Sequence, residues 1–296
     1  MNKILNFGSL NIDIVYSLDH IVRPGETLSS GCVNNFPGGK GLNQSVALSR
    51  SGATVYHAGK IGTDGELLKD ILLSNNIVCD YLKKSDGKNG HAIIQVEKSG
   101  QNSILLFTGT NHEIDIPMID EVLKNFDEGD FLVCQNEISN MDYILKKASE
   151  LRLRIALNPS PIDEKILSCD LSGIEFLIIN EIEGSDFTGE TDADLICENL
   201  LEKYPNMKIV LTIGKRGVIY RDKKNKYTHG IFNVKVVDTT AAGDTFLGYF
   251  IGLIAAEKNV ELALKYASAA SSIAVSRTGA VPSIPTIDEV ETFLKQ

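Results

Sequence analysis

Short apolar runs alternate with stretches of helix-spaced apolar residues along most of the chain. Ile4–Phe7, Val55–Gly59, Phe131–Cys134, Arg154–Leu157, Phe176–Ile179 and Ile209–Ile213 have the length and composition of buried strands. Helical spacing covers Lys40–Arg50, where Leu42, Val46 and Leu48 share a stripe and Gly52 supplies a stop. The same spacing predicts helices over Glu66–Leu73, Met118–Phe126, Met141–Leu151, Asp192–Lys203, Thr245–Ala256, Leu262–Ser276 and Ile287–Leu294. Strands that are apolar on both faces must be covered on both. The alternation therefore predicts an α/β fold, a mostly parallel central sheet between two helical layers.

Two stretches, about 11–36 and 90–108, break this rhythm with mixed polar and β-branched residues. Gly90–Val96 and Ser103–Thr108 predict a hairpin around Lys98-Ser99-Gly100-Gln101-Asn102. We expect these strands to project from the core as a small β-sheet lid. No linker, low-complexity run or internal repeat interrupts residues 1–296, which read as a single domain carrying that lid.

The densest candidate chemistry lies in Val237-Asp238-Thr239-Thr240-Ala241-Ala242-Gly243-Asp244-Thr245-Phe246. Small residues at a helix start leave backbone N–H groups bare at the positive end of the helix dipole, which makes an anion site. Ala241, Ala242 and Gly243 would offer N–H groups to a transferring phosphoryl group, and Asp244 would take the proton of the attacking hydroxyl. The plainer alternative is an ordinary helix cap by Asp238 or Asp244.

A second cluster, Pro37-Gly38-Gly39-Lys40-Gly41-Leu42-Asn43, reads either as a glycine-rich turn into a helix or as a place where a polyhydroxylated ligand meets the backbone. In the second case Lys40 and Asn43 bond its hydroxyls. Asn11 and Asp13 lie two apart and share a face of an extended strand, as a solvated face or as partners for vicinal hydroxyls. Asn180 and Glu183 follow the strand Phe176–Ile179, at the end where parallel sheets bind ligands. They suit either water around magnesium or a helix start. Thr212, Gly214 and Gly217 also follow a strand, and suit a nucleotide or a plain hairpin turn.

Other signatures are missing. Gly38-Gly39-Lys40-Gly41 lacks the Ser or Thr that a Walker loop places after lysine, and no G-x-G-x-x-G follows Ile4–Phe7. The five histidines have no metal-ligand spacing with each other or with cysteine. A net charge of −10 disfavours a nucleic-acid surface, and no apolar run approaches the roughly 18 residues of a membrane span. Five scattered cysteines without a C-x-x-C pair, and a start without a signal-peptide core, predict a cytoplasmic protein with reduced thiols.

In this order the segments resemble the PfkB family of carbohydrate kinases, its ribokinase members most closely. The resemblance runs from Gly8-Ser9-Leu10-Asn11-Ile12-Asp13 to Gly279-Ala280-Val281-Pro282-Ser283. Gly-Gly-Lys-Gly-x-Asn-Gln at 38–44 and Asp-Thr-x-Ala-Ala-Gly-Asp-Thr-Phe at 238–246 carry it, with Asn180/Glu183 and Thr212-x-Gly214 between them.

It implies a ribokinase-like three-layer α/β/α sandwich with a lid. It also implies ATP-dependent phosphorylation of a pentose, D-ribose first, with a nucleoside, another sugar or a sugar phosphate as alternative acceptors. A non-catalytic sugar-binding protein is a more distant alternative. By resemblance, Asn11, Asp13, Gly38, Gly39, Lys40, Asn43, Glu137 and Asp244 bind the sugar, and Asp244 is the base. Asn180, Thr212, Gly214, Gly217, Gly243 and Ser268 fall on the nucleotide side, with Glu183 on magnesium through water. Asp238, Thr240, Ala274, Gly279 and Ser283 would hold an activating potassium ion, and two lids would pair in a homodimer. Leu67, Leu247, Tyr249 and Ser268 depart from the family pattern. The first is expected to remodel the loop after Gly62-Thr63-Asp64, and the next two to alter helix packing.

Overall fold

The structure, a computed structural model, describes residues 2–99 and 101–296. Gly100, in the predicted hairpin turn, lies outside the described residues. The strands in chain order are β1 (Ile4–Phe7), β2 (Asn11–Leu18), β3 (Cys32–Gly38), β4 (Val55–Ile61), β5 (Val78–Lys84), β6 (Gly90–Glu97) and β7 (Asn102–Phe107). They continue with β8 (Phe131–Gln135), β9 (Arg154–Asn158), β10 (Ile174–Asn180), β11 (Lys208–Thr212), β12 (Val218–Arg221) and β13 (Lys226–His229).

Nine of these form one sheet in the order β13-β12-β11-β10-β9-β8-β1-β4-β5. From β11 to β5 every neighbouring pair is parallel, and only the β12–β13 edge runs antiparallel. Side chains alternate between two cores: Ile4, Phe131 and Val133 enter one, while Leu5, Phe7, Leu132 and Cys134 enter the other. A sheet buried on both faces is what its uninterrupted apolar strands require. Each large side chain so buried contributes about 1.5–3 kcal/mol relative to exposure.

The separate four-stranded lid has the order β3-β2-β6-β7. Its centre is a parallel pair, β2 with β6, flanked by antiparallel β3 and β7. The predicted lid strands are there, although β3 extends past residue 36 to Gly38, which brings the first glycine of the cluster into the sheet.

The helix Lys40–Arg50 packs closely on Ala242–Ala255. A Cβ at Gly248 would fall 2.3 Å from Ala47 Cβ, and one at Gly252 2.0 Å from Ser51 Oγ, so the two backbones meet where side chains are missing. Leu247 and Tyr249 are both buried. The Tyr249 hydroxyl donates to Pro285 O at 2.8 Å, which satisfies the polar group that its burial would otherwise strand.

Several boundaries differ from the sequence reading, each for a local reason. Asp115 accepts from Met118 N and moves a predicted helix start back to Ile116. Asn259 does the same through Leu262 N, so that helix spans Val260–Val275. The edge strands β5 and β13 are only partly covered and gave no apolar run, and in β12 the buried run is only Val218 to Tyr220. The helix Glu181–Thr188 buries only Gly184 and therefore leaves no periodic stripe. All five cysteines are unpaired. Among the described residues no helix is long and apolar enough to cross a membrane.

Candidate active site

Strand order reverses between β1 and β8, so the chain leaves in opposite directions on either side of that pair. Such a switch point opens a crevice at the carboxyl ends of the strands. Ser9 and Glu137 stand there, just past β1 and β8, and the Ser9 hydroxyl donates to Glu137 Oε2. The same carboxylate oxygen accepts the backbone N–H of Lys40 at 3.1 Å. Glu137 therefore sits at the start of the helix Lys40–Arg50, where a negative charge is favoured. Burial pushes its carboxyl above the ordinary value, against the pull of Lys40 and these hydrogen bonds.

From Ser9 the chain runs straight into the lid. Asn11 pairs with Gly38 on one side and Gly90 on the other, and Asp13 follows two residues on along β2. Asn111 holds Asn11 by donating from Nδ2 to its Oδ1 at 2.7 Å, and accepts from Leu10 N with its own oxygen. Asp13 lies over Gly38. Burial, with Glu137 nearby, raises its carboxyl to about 6.

The glycine cluster makes room first for the protein itself. A Cβ at Gly38 would stand 2.1 Å from Asp13 Oδ2, and one at Gly41 2.3 Å from Ser9 N. Gly39 has φ of 93°, a conformation that favours glycine. Close ligand approach is thus not needed to explain these residues.

Lys40 is partly buried. Burial opposes its charge, yet Asp244, Glu137 and Glu183 together hold its pKa above the ordinary lysine value. Three carboxylates from distant parts of the chain therefore favour the charge of one ammonium group.

Asp244 lies in the first turn of the helix Ala242–Ala255, which begins three residues earlier than its apolar spacing predicted. Neither carboxylate caps it. Ala241 is the N-cap, with a left-handed φ of 58°, and accepts from Thr245 N at 2.8 Å. The Ala242 N–H turns to Thr239 O at 3.3 Å, whereas those of Ala241 and Gly243 have no protein acceptor among the described residues. Asn43 Nδ2 donates to Asp244 Oδ2 at 3.0 Å, and Gln44 Nε2 to Oδ1 at 2.9 Å. Asn43 thus spends an amide donor on the acid; its own Oδ1 is buried without a partner among the described residues.

On the other side of the crevice Asn180 and Thr212 stand side by side at the ends of β10 and β11. Asn180 and Glu183 form a capping box, with Asn180 Oδ1 accepting from Ile182 N and Glu183 N and Glu183 Oε2 from Asn180 N. The helix-start reading of this pair therefore holds, and it leaves Glu183 Oε1 without a protein donor among the described residues. Gly217 is required by the hairpin, since its Cβ would fall 2.0 Å from His229 O. Gly214 faces open space, and Ser268 is buried.

The stretches 238–240 and 274–283 meet. Val237 and Asp238 donate their N–H groups to Val275 O, and Gly279 N donates to Asp238 Oδ2 at 2.9 Å. Asp238 Oδ1 accepts from both the N–H and the hydroxyl of Thr240. Ala274 O accepts from Arg277 N, and the Ser283 hydroxyl donates to Ala280 O. The donor set is carboxylate, hydroxyl and carbonyl oxygen throughout, which suits a hard cation.

Sequence reasoning missed Ser9, Gln44, Asn111 and Gln135, the buried side chains that hold the others in place. Gln44 stood in plain view at the end of the 38–44 motif, but nothing local said what it touches.

The family model for pfkB family carbohydrate kinases matches residues 1–287. A ribokinase of Haemophilus influenzae is 34% identical over 307 aligned residues, covering 100% of this chain and 99% of its own. The crystal structure of ribokinase from Cryptococcus neoformans in complex with ADP superposes with a TM-score of 0.88 at 32% identity, covering 99% of each chain. Arabidopsis thaliana ribokinase complexed with ribose and ATP gives a TM-score of 0.87 at 25% identity, over 100% of this chain and 99% of that one.

Proposed function

The chain belongs to the pfkB family of carbohydrate kinases, and from that premise we propose that it transfers the γ-phosphoryl group of ATP to the primary hydroxyl of a pentose, converting D-ribose to D-ribose 5-phosphate. The observation that carries this reading is the position of Asp244. It is a carboxylate held by two amide donors at a helix N-terminus, within the field of Lys40, whose charge Glu137 and Glu183 also favour.

In this reading the sugar lies between the lid and the crevice. Asn11, Asp13, Lys40, Asn43 and Glu137 bond its hydroxyls, and the backbone at Gly38 and Gly39 closes one side. Asp244 accepts the proton of the primary hydroxyl as its oxygen bonds to the γ-phosphorus, and the bond to the bridging oxygen of ADP breaks. Free N–H groups at Ala241 and Gly243, with Ala242 beside them, stabilise the charge on the moving phosphoryl group. Asn180, Thr212, Gly214, Gly217 and Ser268 border the nucleotide.

Two cations belong to the proposal. Glu183 would hold magnesium through water, and the ion would neutralise charge on the ATP phosphates. Asp238, Thr240, Ala274, Gly279 and Ser283 would surround potassium and brace the loop that leads to Asp244. A homodimer through the lid is supported by the exposed apolar side chains Val33, Phe36, Ile104, Leu105, Leu106 and Phe107 on its outer strands.

The deciding experiment is a panel of free sugars, nucleosides and phosphosugars with MgATP, run with and without potassium. D-Ribose should give the highest kcat/KM, and potassium should raise it. Preference for a nucleoside would replace the acceptor, and ribose binding without ADP release would remove the kinase reading. Elution as a monomer at every concentration would count against the dimer.

A further inference from the structure

Behind Asp244 lies a chain of buried amides that the proposed reaction does not itself use. Gln44 Nε2 donates to Asp244 Oδ1 at 2.9 Å and lies 3.4 Å from Asn158 Oδ1, at the end of β9. Gln44 Oε1 accepts from Gln135 Nε2 at 2.7 Å, and the same nitrogen donates to Asn6 Oδ1 at 3.0 Å. Asn6 in turn donates from Nδ2 to Gly41 O and Ser45 Oγ, both at 2.8 Å. Asn6, Gln44 and Gln135 are fully buried.

The polarity of this chain is fixed at each step. Both hydrogens of the Gln135 amide are committed to acceptors, so the Gln44 oxygen must face Gln135 and its NH2 group must face Asp244. Turning Gln135 over would set its oxygen against two other oxygens. Its Oε1 is instead buried with no partner among the described residues. An unpaired buried acceptor is destabilising. The network tolerates it and keeps a single amide orientation.

From this we infer that Gln44 is a positioning residue for Asp244, and that Gln135, two residues before Glu137, sets the orientation in which Gln44 donates. The inference rests on the reading of Asp244 as the base. Gln44 holds one carboxylate oxygen and Asn43 the other, which leaves the carboxylate a single rotation and directs its remaining lone pairs toward the crevice. Loss of one holding bond frees that rotation. Misplacing a reacting group by about 1 Å costs on the order of 100-fold in rate.

The test is a double-mutant cycle on steady-state kinetics with the best acceptor, using Gln44→Met, Asp244→Asn and the pair. Gln44→Met keeps the length and removes the donor. It should lower kcat by about 10–100-fold while the KM values for sugar and ATP stay within about threefold. It should add little in the Asp244→Asn background, because it acts through that acid. Gln135→Met should give a smaller loss that disappears when Gln44 is already Met. Unchanged kcat in Gln44→Met, or a loss that multiplies fully with Asp244→Asn, overturns the proposal. Should Gln44→Met fail to fold, Gln44→Glu, which keeps the shape and replaces the donor with an acceptor, is held to the same two criteria. A normal rate in Asp244→Asn would instead overturn the assignment of the base, so the two failures are separable.

Discussion

The carboxylate of Asp13 occupies the space that any side chain at position 38 would need: an ideal Cβ on Gly38 comes within 2.1 Å of Asp13 Oδ2. One strand of the lid thus stores its acid over the bare backbone of the next. Gly38→Ala should push Asp13 out of place while leaving the nucleotide side untouched. We expect KM for the acceptor to rise about tenfold or more, equivalent to roughly 1.4 kcal/mol of lost binding, with KM for ATP nearly constant. Equal changes in both, in steady-state assays, would show that Asp13 does not face the sugar.

On the proposed reading, the raised carboxyl of Asp13 should make acceptor binding sensitive to acid. Burial, then Glu137, lifts it from 3.8 to about 6, so it takes up its proton at a higher pH than an ordinary aspartate. A neutral acid accepts fewer hydrogen bonds from sugar hydroxyls. The ratio kcat/KM for the acceptor should therefore fall below an apparent pKa near 6, and Asp13→Asn should flatten that limb at a low plateau. Stability runs the other way. A folded pKa above the unfolded value means that this group favours the fold below about pH 4, a contribution lost as pH rises through about 6. Melting of the ligand-free Asp13→Asn protein should accordingly fall less over that range than melting of the parent.

On the proposed reading, replacing Asp244 should remove chemistry without removing structure. Asp244→Asn keeps the size of the side chain at the start of a helix whose remaining face is buried. Turnover should drop by roughly 10²–10⁴-fold, with circular dichroism and melting close to the parent. Near-parental turnover would exclude Asp244 from proton transfer.

Tyr249 lies on the helix Ala242–Ala255, five residues after Asp244. Its ring is fully buried and its hydroxyl meets Pro285 O. Tyr249→Phe would leave that carbonyl unpaired, a loss of about 1–3 kcal/mol readable in denaturant or thermal unfolding. Both KM values should be unaffected, because the residue packs behind the site.

Much of this architecture was legible in the order of residues. Uninterrupted apolar runs such as Phe131–Cys134 and Phe176–Ile179 can only be covered on both faces, so a parallel sheet between helices follows from their pattern. The helix read at Leu262–Ser276, observed over Val260–Val275, was visible because its buried stripe repeats. The edge strand Val78–Lys84 and the helix Glu181–Thr188 were not, since each buries too little to impose a period.

The sequence by itself also picked out the candidate site residues, because glycine, carboxylate and amide types cluster in short motifs whose local backbone is dictated by their neighbours. What those residues touch was decided only in three dimensions. Gln44 and Asp244 are 200 positions apart, and Ser9 and Glu137 128 apart. A hydrogen bond across such a distance leaves no periodicity in either segment. A glycine such as Gly38 announces that something comes close to the backbone. Only the packing of β2 against β3 shows that the visitor is Asp13.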